Sequence, residues 1–152
     1  MDNYTKYETY RSLMADLKKS LGAGFYYQAI FIEYAIFEDR LTALLKYANK
    51  KYKDKNGQDY RIQRKINKIK TEAPFTESFQ RKRISLELLE QFETWKERRN
   101  KKIHKMADLP YDEAEIKEIA EEGYEILKVF MNKAKSVNNR HKKTIWEGNG
   151  DE

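Results

Sequence analysis

The chain has 152 residues, a net charge of +6, and no cysteine. That length accommodates one hydrophobic core and one domain rather than two. The missing cysteines exclude a disulfide framework, a thiolate nucleophile and a cysteine-ligated metal. Charged residues make up 37% of the chain, while glycine occurs six times and proline twice, so breakers are scarce and helix formers abundant. The N-terminus, MDNYTKYETYRSL, has no basic start followed by an apolar run, and no stretch reaches the ~18 uninterrupted apolar residues of a membrane span. The expectation is a soluble, cytoplasmic protein with no membrane partner.

In chain order, Asn3 or Thr5 caps a first helix to about Leu21, with Leu13, Leu17 and Leu21 on one stripe and Gly22 and Gly24 ending it. A second helix from Phe25 to about Tyr52 steps through Ile30, Tyr34, Phe37, Leu41, Leu44 and Ala48. Between Phe25 and Phe37 only Gln28 and Glu33 are strongly polar, which predicts a helix covered on most sides. KDKNGQD, residues 53–59, is a turn on its Asn-Gly signal. A short basic helix from Tyr60 to about Thr71 follows, and Pro74 closes the connection.

Thr76 or Ser78 starts a fourth helix with Ile84, Leu88, Phe92, Trp95, Arg99 and Ile103 on one stripe, stopped by Leu109 and Pro110. Asp112 caps a fifth helix to about Val137 that buries Ile116, Ala120, Tyr124, Leu127 and Met131. After position 138 periodicity is lost, so residues 139–152 are expected as a loosely ordered tail on a single domain of residues 1–138. No strand, repeat or low-complexity block is evident. The fold class expected is all-α, an up-and-down bundle of four to five helices.

Positive charge is unevenly spread. From Lys46 to Lys70, ten Lys and Arg residues face only Asp54 and Asp59, with Tyr47, Tyr52 and Tyr60 interleaved. Such a stretch suits a polyanion, because neutralised phosphates release counterions; a solvated face is the equal alternative.

The string RNKKIH, residues 99–104, carries one of only two histidines in the chain. Histidine titrates near pH ~6.5 and can exchange protons at neutral pH, while arginine holds a phosphate bidentately with a permanent charge. That pair suits RNA cleavage without metal: His104 moves the proton of the 2′-hydroxyl or leaving oxygen, and Arg99 stabilises charge developing on the phosphoryl oxygens. Asn100 can orient His104 or the phosphate. Asn100 and His104 share a helix face, whereas Arg99 and His104 lie about 140° apart on an ideal helix. Either the arginine side chain wraps round, or two copies of the helix meet in a homodimer and compose one site.

Arg99, Asn100 and His104, with Trp95 just upstream and an early apolar helix containing acids, YYQAIFIEYAIFEDRL, resemble the HEPN (higher eukaryotes and prokaryotes nucleotide-binding) domain superfamily. The resemblance implies a helical bundle that dimerises with its motifs facing each other. In many members it implies a metal-independent endoribonuclease of toxin–antitoxin, phage-defence or CRISPR-linked systems; other members only bind nucleotides or RNA. One toxin branch carries a tyrosine two places after the histidine that a partner antitoxin modifies; Met106 stands there, so that regulation is not carried over.

Glu33 has two readings: it helps position Arg99 or His104, or it pairs with Arg40 or lies at a helix edge. Asp39 is a weaker candidate for the same supporting role. Lys65, Lys68, Arg98, Lys101, Lys102 and Lys105 are the expected RNA contacts. Neither histidine has Glu three places before it, against a di-iron bundle, and EEGYE at 121–125 lacks the companion acids of a magnesium pyrophosphatase and reads as a solvated face. No cofactor or metal is expected. The leading expectation is an endoribonuclease acting on RNA as a homodimer, with a cognate antitoxin as a possible partner; the alternative is a non-catalytic helical module for RNA binding or protein interaction.

Overall fold

The computed structural model describes residues 1–72 and 84–148. It is an all-α helical bundle, with five helices among the described residues: α1 Asn3–Ala23, α2 Tyr26–Tyr47, α3 Ile62–Thr71, α4 Leu86–His104 and α5 Glu113–Gly148. None of them is long and apolar enough to cross a membrane.

Local chemistry sets the ends of these helices. Asp2, rather than Asn3 or Thr5, caps α1: its carboxylate accepts the Thr5 N–H at 2.8 Å and the Thr5 hydroxyl at 2.9 Å. At the other end Gly24 adopts φ 80°, and Phe25 N–H reaches back to the Ser20 carbonyl at 2.8 Å, so the helix runs two residues past Leu21. The same closure ends α2 five residues before the expected Tyr52. Asn49 takes φ 55° and Lys50 N–H bonds the Leu45 carbonyl at 2.8 Å, an asparagine doing what glycine does after α1. The Asn-Gly turn is present as expected. Gly57 has φ 78°, a bridge joins Lys53 and Asp59, and Asp54 Oδ1 accepts the N–H groups of Asn56 and Gln58.

Ser85 Oγ accepts the Leu88 N–H at 3.1 Å at the start of α4; the expected starters Thr76 and Ser78, like Pro74, lie outside the described residues. His104 is the last residue of α4, and the chain then turns through residues 105–109 before Asp112 caps α5 by accepting the Glu115 N–H. The α5 helix continues to Gly148, past the expected end at Val137.

Packing divides into two compact units, and α2, α4 and α5 contribute residues to each. The first comprises Met1–Phe37 and Thr94–Glu125, with Leu17, Ile30, Phe37, Trp95, Ile116 and Ile119 buried. The second comprises Glu38–Glu93 and α5 from Ile126, with Leu41, Leu45, Ile66, Ile69, Phe92 and Phe130 buried. Lys65 also lies in that second interior, 1% exposed, its ammonium 3.5 Å from Glu38.

Trp95 is the largest fully buried side chain among the described residues. Its ring meets Phe37 at 5.4 Å between centroids, and its indole N–H donates to the Ile119 carbonyl of α5 at 2.8 Å. Gly123 makes this approach possible. A methyl group at that position would lie 2.7 Å from two ring atoms of Trp95 and 2.7 Å from Glu33 Oε1, well inside van der Waals contact. The buried side of α5 therefore includes Ile119 and Gly123, which the expected stripe of Ile116, Ala120, Tyr124, Leu127 and Met131 omits.

Gly123→Ala should cost about 2 kcal/mol or more of unfolding free energy in urea melts, because Trp95 or α5 must shift to admit the methyl. Gly22→Ala, whose added methyl meets nothing within 4 Å inside α1, should instead gain ~0.5 kcal/mol.

Candidate functional site at the end of α4

The seat of Trp95 fixes what lies one turn further along α4. Arg99 is half-buried there, its guanidinium carbon 3.9 Å from the ring centroid of Tyr34 and 5.7 Å from that of Phe31, both on α2. One Nη donates to Asn100 Oδ1 at 2.7 Å, and the buried Nε has no hydrogen-bond partner among the described residues. Burial pushes the guanidinium pKa down from its usual value, with Tyr34 opposing that shift. No carboxylate pairs with Arg99 among the described residues. The charge is held in place by aromatic faces and an amide, none of which neutralises it.

Its neighbour is treated oppositely. Arg98 reaches Glu118 at 3.0 Å and Glu122 at 3.1 Å, and these hydrogen bonds hold its pKa above the usual value. Lys102, 8% exposed, donates to Glu115 at 2.6 Å, which likewise raises its pKa. Both cations, expected from sequence as RNA contacts, are instead ion-paired between α4 and α5. Two residues of the EEGYE segment read as a solvated face take part in this packing: Glu122 serves Arg98, and Gly123 serves Trp95.

His104 is exposed at the last turn of α4, and its ring makes no hydrogen bond among the described residues. The motif thus brings Arg99 and Asn100 into direct contact and leaves His104 open to an external group. Asn100 orients Arg99 rather than His104. Of the other expected RNA contacts, Lys101 and Lys105 are exposed and unpaired among the described residues, Lys68 is bound to Glu72 at 2.8 Å, and Lys65 is buried against Glu38. A buried lysine with its own carboxylate offers nothing to an incoming phosphate, which corrects the expectation for Lys65. Sequence reasoning missed Tyr34 as a site residue; its spacing on the apolar stripe of α2 marked it as core, and only the packing shows Arg99 lying on its ring.

Glu33 is fully buried, and among the described residues neither carboxylate oxygen has a hydrogen-bond partner, so the expected ion pair with Arg40 does not form. Its Oε1 lies beside Gly123 and Trp95, and burial alone raises its pKa to about 9. Asp39 belongs to the second unit. Among the described residues no group of three or more His, Asp or Glu is placed to hold a metal ion.

At neutral pH the folded chain keeps Glu33 protonated, while the unfolded chain ionises it near its ordinary value of 4.5. The folded state therefore holds the extra proton. Its contribution is fully present below pH 4.5 and is lost as the pH rises toward 9. Glu33→Gln, which cannot titrate, should gain on the parent by up to ~1.4 kcal/mol per pH unit across this window. Urea unfolding of both proteins at pH values between about 5 and 8 checks this; a constant difference would contradict a protonated Glu33.

No protein-family model, curated protein or solved structure matches the chain.

Proposed function

We propose that this chain is a metal-independent endoribonuclease of the HEPN-like kind, working on cytoplasmic RNA in a toxin–antitoxin or phage-defence setting. The observation that carries this reading is the contrast between adjacent arginines: Arg98 is bound by two glutamates, whereas half-buried Arg99 has no carboxylate among the described residues and rests on Tyr34. A desolvated, preorganised cation without a counter-ion favours an external anion, and a phosphodiester presents oxygens in the geometry that a guanidinium matches.

Two copies of the chain compose the site, each contributing Arg99, Asn100 and His104. One His104 takes the proton of the ribose 2′-hydroxyl as that oxygen bonds to phosphorus. The bond from phosphorus to the 5′-oxygen breaks, and the other His104 protonates the leaving oxygen. Arg99, steered by Asn100, carries the negative charge that accumulates on the non-bridging oxygens. The products are a 2′,3′-cyclic phosphate and a 5′-hydroxyl. Exposed Lys101 and Lys105 flank the motif and add a salt-sensitive attraction for the strand.

The solitary state of His104, with no orienting partner among the described residues, favours a second reading: a helical RNA-binding or protein-interaction module in which Arg99 contacts phosphate and no bond is cut.

Incubation of the protein with single-stranded RNA in EDTA separates the two. Cleavage should fall by about 100-fold or more in Arg99→Ala and in His104→Ala. Salt-sensitive RNA binding without turnover in the parent supports the binding module, and cleavage that survives both substitutions overturns the assignment of the site. Tyr34→Leu should lower the rate about tenfold by releasing the guanidinium from its ring.

A further inference from the structure

The second unit carries a basic surface whose composition the fold rearranges. Of the ten Lys and Arg residues between Lys46 and Lys70, four are spoken for: Lys65 by Glu38, Lys50 and Lys68 by Glu72, and Lys70 by Glu93. The other six, Lys46, Lys51, Lys53, Lys55, Arg61 and Arg64, have no carboxylate partner among the described residues. The local acids do little to offset them. Asp54 is turned inward onto the Asn56 and Gln58 N–H groups, and Asp59 lies exposed across the bridge from Lys53.

Tyrosine faces set the places of several of these cations. Lys46 and Lys53 lie 4.9 and 5.7 Å from the Tyr52 ring centroid, and Arg64 lies 3.8 Å from that of Tyr60. A ring face orients an ammonium or guanidinium without cancelling its charge. The loop that displays them is itself ordered, by the Tyr60 N–H to Tyr52 carbonyl bond at 2.8 Å and the Asp54 N–H to Gln58 carbonyl bond at 2.8 Å. Beside the turn lies a recess of about 350 Å³, lined by Lys51, Tyr52, Lys53, Asp54, Lys55 and Tyr60.

We propose that this 51–60 hairpin is a binding site for single-stranded nucleic acid, its recess receiving one nucleotide while the surrounding lysines and Arg64 contact neighbouring phosphates. A strand is favoured over a duplex because a paired, stacked base cannot enter a concavity, whereas a splayed one can. A lipid surface is disfavoured, since no large apolar residue is exposed between Tyr47 and Leu86 among the described residues to insert into it. The site shares no residue with the Arg99 and His104 motif, so it holds whether or not the chain cuts RNA.

The test follows binding, by fluorescence anisotropy, of a labelled 2′-O-methyl RNA single strand of about 12 nucleotides, which has no free 2′-hydroxyl and reports binding alone. With about three phosphates neutralised, affinity should fall roughly 20-fold between ~50 and ~200 mM KCl. The K51Q/K53Q/K55Q variant should bind at least tenfold more weakly with a salt slope smaller by about two. K18Q/K19Q/K117Q, which makes the same charge change at exposed positions on α1 and α5, should lose less than threefold. Asp59→Asn should bind more tightly, a gain that no unfolding can imitate. Equal losses in the two triple variants, no gain in Asp59→Asn, equal affinity for a duplex of the same length, or binding to phosphatidylserine vesicles in preference to the strand would each overturn the proposal.

Discussion

The seating of Trp95 against Gly123 is the contact on which the first unit depends. A fully buried indole cannot leave its N–H unpaired without a cost of a few kcal/mol, and here a main-chain carbonyl, Ile119 on the neighbouring helix, accepts it. That carbonyl is reachable because position 123 has no side chain. With α4 held so closely against α5, Arg98 reaches Glu118 and Glu122 and Lys102 reaches Glu115, a short ladder of ion pairs along the same boundary. The partly exposed Arg98 pairs contribute little by themselves, so they align the helices more than they stabilise them. The tryptophan and the glycine set the spacing.

Arg99 takes its character from this arrangement. It stands one turn from Trp95 on the side of α4 that faces Tyr34, too deep for solvent to solvate it fully and without the carboxylates that serve Arg98. Two consecutive arginines in the sequence thus acquire opposite roles, one a strut between helices and one a charge awaiting an anion. The basic stretch from Lys46 to Lys70 is sorted in the same way. Four of its cations are internal struts or ion-paired, and six project a field held in shape by tyrosine rings. Net charge alone reports neither division.

Glu33 shows what the same interior does to an acid. Among the described residues no donor reaches its oxygens, and desolvation converts it into a neutral carboxylic acid at physiological pH. It is a tolerated polar group beside Trp95 and Gly123, and its protonation is what permits the burial.

Much of this protein was readable from its residues in order. Apolar spacing gave the helices, Gly24 and the Asn-Gly pair gave two of the breaks, Asp112 gave a cap, and the stripe through Leu88, Phe92 and Trp95 placed RNKKIH late on a buried helix. Those are local properties, decided within a few residues by backbone conformation and side-chain periodicity. Pairings between helices were not readable, because a carboxylate twenty residues away in sequence leaves no mark on the lysine or arginine it will neutralise. Hence Arg98, Lys102 and Lys65 looked available and are engaged, Tyr34 looked like core and is the support of Arg99, and the EEGYE segment looked solvated while its glycine is the seat of the tryptophan. Sequence alone determined which chemical groups this protein carries and on which helices. Only tertiary packing decided which of them keep an uncompensated charge, because that depends on which helices approach closely enough for a carboxylate to reach.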